Sequence, residues 1–564
     1  MKRYIFLLVS ILFIGFILFI CCNENNTHEY SEKINLIKKS YKANIETEQK
    51  NSENTIAIVS ISDIKTKAIV KSKIGSSFDD AIKLLNEEIN SYIDKNNYDV
   101  EWVKLDIIKD VKQISLEELK NEISNLKYQN TYRNGIVLTY DDRDIILTEA
   151  ELNSNGIIDY ANCEIDINKL NDYLKSFDFN EINEIPDKIK RFETTSYFCD
   201  EYNNVYELSN EGVNTGIRKN EQINIEEINK TVTNARDYLS NLIQDNGKFI
   251  YGFNTIEDSE IEGYNILRHS GSLWSLIACY DENCNEQKAK VDKALGFLNR
   301  QVRKKDDTTY FIIDENNEIK LGGNALTIIA LCEYTEKFGD SQYIEIAKKL
   351  GNGIIDMQYS NGRYKHILNA NNFSTRKEFQ TVYYDGEATF ALCKLYGLTK
   401  ETKYLDAARK AIKYFIENNY TKYCDHWIEY SMNEITKYIG SKEYYEFGLK
   451  NVIDNIDILN STDVVIPTQF ELLMQGYELY NRMKKNNVNT NNIITEEKLI
   501  EIIENKAKFQ LNSYLYPEIS MYLSNPSKYY NTFFARERGF EIRIDDIQHS
   551  IMGYHYYLEI FNKK

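Results

Sequence analysis

The chain is short of positive charge. Its 564 residues include 68 lysines and arginines against 86 aspartates and glutamates, which gives a formal net charge of −18 at pH 7. Because binding to a phosphate backbone needs a basic face, this balance excludes a nucleic-acid partner. Apolar residues at 42% and aromatic residues at 13% predict a folded chain with material for more than one domain.

Paired cysteines and phosphate loops are also missing. Seven of the nine cysteines follow the N-terminal segment, and no two of them have CxxC spacing. This odd, unpaired set argues against a disulfide framework and against a zinc site. The first folded region has neither a glycine-rich phosphate loop nor a nucleophile elbow. We therefore expect no metal and no cofactor.

Residues 1–22 are typical of an export signal. Lys2 and Arg3 precede an apolar run that ends at residues 18–22, a stretch similar to a relaxed bacterial lipobox. That stretch predicts Cys21 or Cys22 as the lipid-bearing residue. Ile20 is large where the motif prefers a small residue, so an uncleaved N-terminal anchor is the alternative. Residues 23–54 are polar and predict a tether, with the rest of the protein held at the outer side of the cell membrane.

Residues 55–220 alternate between strand and helix patterns. Strands are predicted at 55–62, 68–73 and 100–108, a hairpin at 134–147, and helices at 78–95 and 116–126. This order predicts a small α/β or α+β domain. Two strand-like pieces, 191–198 and 205–208, are interpreted as part of a strap that leads to the next domain.

From 221 to 564 a helical period dominates. Twelve helices are predicted in pairs, over 225–244, 263–280, 286–304, 322–338, 341–358, 383–397, 402–418, 425–439, 442–458, 466–484, 495–513 and 543–561. The two-helix repeat is about 50–65 residues long. The sequence of the loop at 244–249 is similar to that of the loop at 358–364. Even-numbered helices are apolar nearly all round, whereas odd-numbered ones have one apolar face. Six buried helices inside six half-exposed ones predict an (α/α)6 toroid.

Most even-numbered helices begin at a polar or glycine-rich cluster, namely 263–269, 322–326, 383–388, 425–427 and 545–549. If the inner helices run parallel, their first turns meet at one end of the ring, which we call the mouth. Free N–H groups and positive dipole ends there favour anionic or hydroxyl-rich ligands. Asn265, Arg268 and His269 have i, i+3, i+4 spacing, as do Asp545, Gln548 and His549, so each set is predicted to share one helix face.

At these residues the chain resembles the six-hairpin toroid superfamily, which includes glycoside hydrolases, polysaccharide lyases and sugar epimerases of the glucuronyl C5-epimerase type. The resemblance covers about 225–564 and depends on the helix count, the Asn-Gly-aromatic turns and the openings of the inner helices. It implies the toroid fold and a carbohydrate substrate. The activity that it implies is an analogy from fold, and no catalytic motif of one member family aligns with this sequence.

Sugar chemistry in such a mouth needs an acid and a base, supplied by carboxylates or histidines. The candidate catalytic residues are Glu387, Asp425, His426, His269, Asp545 and His549. The candidate substrate-binding residues are Asn265, Arg268, Asn324, Tyr383, Tyr384, Trp427, Gln548 and Arg543. The alternative for each of them is structural, as a helix cap or a satisfied core residue.

These observations predict an exported, membrane-tethered enzyme that acts on a glycan of the cell envelope or its surroundings. Hydrolysis is favoured because carboxylates outnumber histidines in the set. The alternatives are a uronic-acid epimerase or lyase on the same fold, and a non-catalytic glycan-binding lipoprotein. The N-terminal domain is predicted to cover the mouth and to supply Glu149 or Glu151, unless 148–155 is only a helix start with a capping box.

Overall fold

A computed structural model describes residues 26–44, 55–126, 128–140, 143–177, 179–220, 222–282, 284–489 and 494–562. The lipidation candidates Cys21 and Cys22 lie outside these described residues. Where the sequence predicts a tether, residues 26–44 form helix α1. Its residues Tyr30, Ile34 and Ile37 are buried against the first domain, because i, i+4, i+7 spacing gives the helix one apolar face. The tether prediction is therefore wrong for this segment.

A helix that crosses a bilayer needs about 20 mostly apolar residues. None of the helices among the described residues combines the length and the apolar character that a membrane crossing needs.

The first domain is built on a seven-stranded antiparallel sheet. The strands of this region are β1 (Thr55–Ser62), β2 (Ile69–Gly75), β3 (Trp102–Ser115), β4 (Gly135–Tyr140), β5 (Arg143–Leu147), β6 (Ile158–Asp159), β7 (Glu164–Ile165), β8 (Lys188–Cys199) and β9 (Val205–Glu207). The order is β2-β1-β3-β8-β4-β5, with β9 beside β8 and β6 paired to β7 separately. Strand β8 lies between β3 and β4, with Leu105 opposite Tyr197. The segment interpreted as a strap is therefore the centre of the sheet.

Helices of this domain are α2 (Phe78–Asn96), α3 (Leu116–Leu126), α4 (Glu149–Ser154) and α5 (Ile167–Leu174). Helices α1 and α2 cover the sheet face that carries Ala57 and Val59, whereas Ile58 points to the other face, as the period of two requires. Thr148 and Glu151 form a capping box at the start of α4, which confirms the structural interpretation of 148–155. An antiparallel sheet with separate helices makes this an α+β domain.

Six inner helices form a closed ring in the second domain. They are α7 (Ile266–Ala278), α9 (Leu321–Phe338), α11 (Tyr383–Thr399), α13 (His426–Ile435), α16 (Pro467–Lys485) and α20 (Ile544–Phe561). Each packs against the next, and α20 packs back against α7. These helices are buried nearly all round. The closed ring confirms the predicted (α/α)6 toroid.

Outer helices pack around this ring. They are α6 (Ile225–Asn241), α8 (Asn285–Arg300), α10 (Ile344–Asp356), α12 (Thr402–Glu417), α14 (Lys442–Ile453) and α17 (Glu496–Gln510), and α15 (Ile456–Asn460) follows α14. The repeated loops have equivalent turns at Gly247 and Gly362, with φ of +85° and +95°. A Cβ at either glycine would lie within 2.2 Å of a carbonyl oxygen of the neighbouring outer helix. The repeat therefore needs glycine for both conformation and space.

Short strands join the loops of the ring. They are β10 (Gly252–Asn254), β11 (Ser259–Glu260), β12 (Val302–Lys304), β13 (Tyr310–Ile312), β14 (Glu318–Lys320), β15 (Ile367–Asn369), β16 (Thr375–Lys377) and β17 (Glu541–Arg543). Strand β17 pairs with β10, and β14 pairs with β15. Both pairings lie directly before inner helices, so they tie the mouth ends of the hairpins together.

The long segment between α17 and α20 connects the two domains. This docking segment, residues 511–543, contains the short helices α18 (Pro517–Ser520) and α19 (Pro526–Tyr529). Met521 and Tyr522 pack into the second face of the sheet beside Ile58, and the Tyr522 hydroxyl donates to Ser60 at 2.8 Å. A buried ion pair joins Arg218 to Glu518 at 2.7 Å. The first domain is therefore held on the toroid at the end where α20 begins.

Candidate active site at the mouth of the toroid

The first turns of four inner helices meet at one end of the ring. Nε of Arg268 on α7 lies 3.2 Å from Oδ2 of Asp545 on α20. His426 on α13 faces His549 on α20, with ring centroids 5.2 Å apart and planes at 81°. The carboxyl of Glu387 on α11 interacts electrostatically with Arg268. The structure thus places five predicted residues together at the mouth.

A buried carboxylate holds His549. Its Nδ1 lies 2.6 Å from Oε1 of Glu471 on α16. The other oxygen of Glu471 accepts a hydrogen bond of 2.5 Å from the Tyr430 hydroxyl. A carboxylate at Nδ1 favours the tautomer with the proton on that nitrogen and fixes the ring. Because His549 is 9% exposed, its ring remains in contact with the mouth, and Nε2 is the nitrogen available for chemistry.

His426 is not hydrogen-bonded in this way, since the nearest carboxylate oxygen at its Nδ1 is Oδ1 of Asp425, at 3.6 Å. Both of its ring nitrogens are buried, and neither has a hydrogen-bond partner among the described residues. Burial lowers the pKa of His426 well below its ordinary value, and the nearby His549 and Arg268 act in the same direction. His426 is therefore a neutral imidazole that can accept a proton. Buried polar atoms without partners cost about 1–3 kcal/mol, a cost found at functional sites.

The carboxylates of the mouth differ in what engages them. Asp545 lies between Arg268 and Arg543, the second at 3.3 Å. Asp425 is the N-cap of α13, where its Oδ1 accepts a 3.0 Å hydrogen bond from the backbone N–H of Trp427. Forming an ion pair and capping a helix are structural roles of a carboxylate. Each aspartate nevertheless keeps one buried oxygen, Oδ1 of Asp545 and Oδ2 of Asp425, without a hydrogen-bond partner among the described residues.

Among the described residues, Glu387 is a third carboxyl of the mouth with an unpartnered oxygen. Its Oε2 has no hydrogen-bond partner within the described part of the chain. Burial raises the pKa of Glu387 well above its ordinary value, the charge of Asp425 raises it further, and Arg268 lowers it. This shift favours the protonated carboxyl, which can donate a hydrogen bond. A Cβ on Gly322 would lie 2.1 Å from Oε2, so glycine makes the space that this carboxyl occupies.

Exposure at the mouth is concentrated on two side chains. The Arg268 side chain is 40% exposed, and Tyr383 is 44% exposed. The Tyr383 ring lies 5.9 Å from that of His426, centroid to centroid. An exposed aromatic ring offers a flat face on which a sugar ring can pack. Arg268 and Tyr383 therefore form the rim through which a ligand would enter.

An aromatic plug fills the ring below the histidines. It consists of Trp274, Phe390, Trp427 and Tyr430, with the two indole rings 5.6 Å apart. Trp427 is buried in this plug, and its ring packs against both His426 and His549. Its contacts with the mouth therefore support the two histidines.

His269 does not belong to the mouth. Its Nδ1 contacts the Tyr264 hydroxyl, and its Nε2 lies 3.2 Å from the carbonyl oxygen of Ala294 on α8. Burial lowers the pKa of His269 to about 3. Side chains of successive helical residues point about 100° apart. Because Arg268 faces the mouth, His269 points toward the outer helices. The predicted shared face is wrong, and His269 is a core histidine with both nitrogens engaged.

Four residues predicted to bind substrate lie in surroundings typical of structural residues, namely at a helix cap, at a backbone hydrogen bond or in the buried core. Asn265 caps α7, and the Asn324 side chain accepts a 2.7 Å hydrogen bond from the backbone of β13. Gln548 and Tyr384 are buried. Gln548 packs so closely against Gly271 that a Cβ added to this glycine would lie 2.5 Å from the amide oxygen of Gln548. These residues shape the walls of the mouth through backbone and helix contacts.

Sequence reasoning missed Glu471 and Tyr430. Glu471 is the only acid in the apolar run from 470 to 474, near the start of a helix predicted to be buried. An isolated acid on a buried helix must have a partner, so this feature alone could have identified it. Tyr430 carries no comparable mark among 43 tyrosines.

One group in the mouth has the composition of a metal site. Ligand atoms of His426, Glu471 and His549 all lie within 4.8 Å of one another, and two histidines with a carboxylate suit several divalent metals. Both oxygens of Glu471 already accept hydrogen bonds, from His549 and Tyr430. A metal would have to replace at least one of these bonds.

The carboxylates proposed from the first domain are engaged within that domain. Glu149 accepts a 3.3 Å hydrogen bond from the buried Lys104, and Glu151 pairs with Thr148 and with the Tyr173 hydroxyl. The prediction that either one serves the mouth finds no support in these contacts.

The sequence matches no family model and no curated protein. Solved structures with a similar fold include a sugar epimerase from a ruminal bacterium, 14% identical with a TM-score of 0.47 over 60% of this chain and 99% of that one. Cellobiose 2-epimerase from Bacillus thermoamylovorans has 14% identity and a TM-score of 0.46 over 60% and 99%. The α-1,6-mannanase GH76A from Salegentibacter has 14% identity and a TM-score of 0.41 over 59% and 99%. At these identities the likeness concerns the fold alone.

Proposed function

We propose that this six-hairpin toroid is a sugar epimerase or isomerase in which His426 and His549 exchange protons with the substrate at the mouth. The observation that carries the proposal is the pair of facing imidazoles, 5.2 Å apart between ring centroids. One is neutral and without a hydrogen-bond partner among the described residues, whereas the other is anchored by Glu471. Environments that separate two titrating groups in this way are typical of acid–base pairs.

The chemistry acts on a carbon next to the carbonyl of an open-chain sugar. One imidazole removes the proton from this carbon, and the electron pair left behind forms an enediolate with the carbonyl group. The other imidazole, which enters this step as the imidazolium, returns a proton to the opposite face of the same carbon for epimerisation. For isomerisation it protonates the neighbouring carbon, and the hydroxyl proton of the enediolate moves to the oxygen of the former carbonyl. General acid–base catalysis of this kind needs groups within hydrogen-bond reach of the proton that they move.

Two neighbours stabilise the negative charge of the enediolate. Arg268, held by Asp545, supplies a fixed positive charge at the rim. The proton-bearing Glu387 donates a hydrogen bond toward the oxygen that becomes negative. Donors aimed at developing charge are effective in a site from which water is excluded, and Tyr383 supplies a flat apolar face for the C–H groups of the sugar.

Hydrolysis is the second candidate. Glu387 favours it, because a carboxyl with a raised pKa is what a glycosidase uses to protonate its leaving group. The second carboxylate of such a pair would have to be Asp425 or Asp545, which cap a helix and pair with arginines. Each aspartate keeps one oxygen without a hydrogen-bond partner among the described residues, so the mouth also holds the carboxylates that hydrolysis needs.

We also propose that the protein is exported and held at the membrane through its N-terminal segment, so that its substrate is a sugar of the envelope or its surroundings. The basis is the charged and apolar pattern of residues 1–22. Labelling cells with a fatty-acid probe should tag the wild-type protein. A variant with Cys21→Ser and Cys22→Ser should stay unlabelled, and equal labelling of both would contradict a lipid anchor at these cysteines.

Proton exchange in D₂O tests the enzyme proposal without knowledge of the product. The protein is incubated with a panel of hexoses, N-acetylhexosamines, uronic acids and β-linked disaccharides, and ¹H NMR follows loss of the C–H signal beside the carbonyl carbon. We expect deuterium incorporation that the His426→Asn variant lacks.

Two other outcomes would overturn this proposal. Release of reducing ends from a glycan without C–H exchange would assign hydrolysis. Binding of a glycan by the wild-type protein, with neither exchange nor cleavage, would assign the non-catalytic alternative.

A further inference from the structure

A second cavity lies at the opposite end of the ring from the mouth. It has a volume of about 160 Å³ and lies among the C-terminal halves of the inner helices. The aromatic plug separates it from the histidines, since Phe390 and Tyr430 form part of its wall. We call it the distal cavity. The proposed function at the mouth makes no use of it.

Acids outnumber bases in the distal cavity. Its wall contains the carboxylates of Glu333, Glu434, Glu478 and Glu559, against the side chains of Lys394, Lys437 and His555. Lys394 is paired to Glu333 at 3.2 Å and also to Glu336 outside the cavity, and Lys437 is paired to Glu434 at 2.6 Å. Nε2 of His555 lies 3.8 Å from Oε1 of Glu559, so three of the four acids have a basic partner. The negative excess is the carboxylate of Glu478, which accepts a hydrogen bond from Asn433.

One buried amide in this wall has an unused donor. Gln475 is only 2% exposed, and its carboxamide oxygen accepts a 2.7 Å hydrogen bond from Asn433. Its Nε2 has no hydrogen-bond partner in the part of the chain that the structure describes. The orientation of Asn433 is set independently, because Arg482 donates to its oxygen. Gln475 thus presents an N–H group to the cavity, where an acceptor would recover a desolvation cost of about 1–3 kcal/mol.

The lining defines the ligand by its chemistry. Carboxylates accept from hydroxyl and ammonium groups, while Gln475 donates to a hydroxyl oxygen. The rings of Phe390, Tyr430 and Tyr556 offer apolar faces to sugar C–H groups and π faces to a cation. The cavity volume is below the roughly 300 Å³ at which pockets for drug-sized molecules begin. A ligand of one sugar ring or less is therefore the size that fits.

Tyr430 connects this cavity to the mouth. Its ring is part of the cavity wall, and its hydroxyl donates to the same carboxylate of Glu471 that holds His549. Tyr556, also in the wall, interacts with the Tyr430 hydroxyl. A ligand that displaces the Tyr430 ring would therefore change the position or the charge of the group behind His549.

We propose that the distal cavity binds a small, hydroxyl-rich molecule with a positive charge, such as an amino sugar, and that its occupancy is transmitted to His549 through Tyr430 and Glu471. The binding half is independent of the proposed activity. The transmission half rests on the proposed role of His549 at the mouth, and each half has its own experiment.

Isothermal titration with D-glucosamine and with D-glucose tests the binding half on the full protein. We expect glucosamine to bind more tightly than glucose, and Gln475→Leu and Glu478→Gln each to weaken it at least tenfold. The mouth variant His426→Asn is the matched control and should bind glucosamine as the wild type does. No binding of glucosamine, equal affinity for the two sugars, or loss of binding in His426→Asn alone would each overturn the assignment.

Histidine-selective ¹⁵N NMR tests the transmission half without an activity assay. The chain has six histidines, so the His549 signals can be assigned by their loss in His549→Asn. Glucosamine should shift the His549 ring signals in the wild type. Tyr430→Phe keeps the ring of the cavity wall but removes the hydroxyl, so it should retain binding and lose the shift. Binding that leaves the His549 signals of the wild type unmoved would refute the connection, whether or not the protein is an epimerase.

Discussion

Oε1 of Glu471 lies 2.6 Å from Nδ1 of His549, which joins the fifth and sixth inner helices at the mouth. This contact is the basis for treating His549 as an oriented acid–base group rather than as a core histidine. It also separates His549 from His269, whose partners are a tyrosine and a backbone carbonyl.

Glu471→Gln should reduce activity strongly with little change in shape. The amide keeps the volume of the side chain but removes the charge that supports the His549 imidazolium, so we expect kcat to fall on the order of 10²-fold or more. The rate of C–H exchange in D₂O measures this. Glu443→Gln, an exposed glutamate on α14, is the matched control, and equal rates for the two variants would contradict the role of Glu471.

His269→Asn should affect stability and leave activity intact. The variant loses the contacts with Tyr264 and the Ala294 carbonyl inside an aromatic setting, which costs about 1–3 kcal/mol. We expect a lower thermal unfolding temperature and a kcat within about twofold of the wild type. A large loss of kcat with an unchanged unfolding temperature would contradict this expectation and would indicate that His269 belongs to the active site.

Glu429→Gln should flatten the dependence of stability on pH. Burial raises the pKa of Glu429 to about 8, although a hydrogen bond from Asn451 lowers it. The folded carboxyl therefore keeps its proton over a range in which the unfolded one, with an ordinary pKa of 4.5, has lost it. The wild type binds more protons when folded, so its stability falls as pH rises from 4.5 to about 8, by at most about 1.4 kcal/mol per pH unit.

The glutamine side chain does not titrate, so the variant should lose less stability over the same range. Thermal unfolding of both proteins at pH 5 and pH 8 measures the difference. Parallel changes in the two proteins would show that Glu429 ionises normally.

Arg218→Met should loosen the docking segment. The guanidinium donates to both oxygens of the buried Glu518, at 2.8 and 2.7 Å, and lies between the rings of Tyr206 and Tyr516. Removing one partner of a buried pair leaves an uncompensated charge and costs about 3–5 kcal/mol. Limited proteolysis should cut the variant faster within 511–543 than the wild type.

A second substitution separates charge from packing in the same contact. With Glu518→Leu added to Arg218→Met, no unpaired carboxylate remains, and part of the resistance to proteolysis should return. If the single and double variants are cut equally fast, the ion pair is not what holds the segment.

The helices of the ring are predictable from sequence because their pattern is local. The twelve predicted ranges match the helices closely, as for 322–338 and α9 (Leu321–Phe338), since apolar period and turn residues are encoded within each hairpin. For strand β8 the sequence indicates the strand-like piece 191–198 but not its place in the sheet. Its place between β3 and β4 depends on pairing with distant segments, which a short strand pattern does not encode.

The site was predictable only in part. His426, His549 and Arg268 could be found because polar residues interrupt helices that are otherwise apolar. Their partners could not be assigned, because the Asp545 and Glu471 contacts depend on how neighbouring helices are rotated in the ring. The same rotation decided that Arg268 faces the mouth and that His269 does not.

Helices α7 and α20 pack against each other although they are synthesised far apart in time. Arg268 is made early in the toroid and Asp545 late, so a growing chain on the ribosome passes through five hairpins before the two can meet. Until then the first inner helix exposes an apolar flank that only α20 covers in the finished protein. Any catalytic activity therefore reports that translation of the toroid and closure of its ring are both complete.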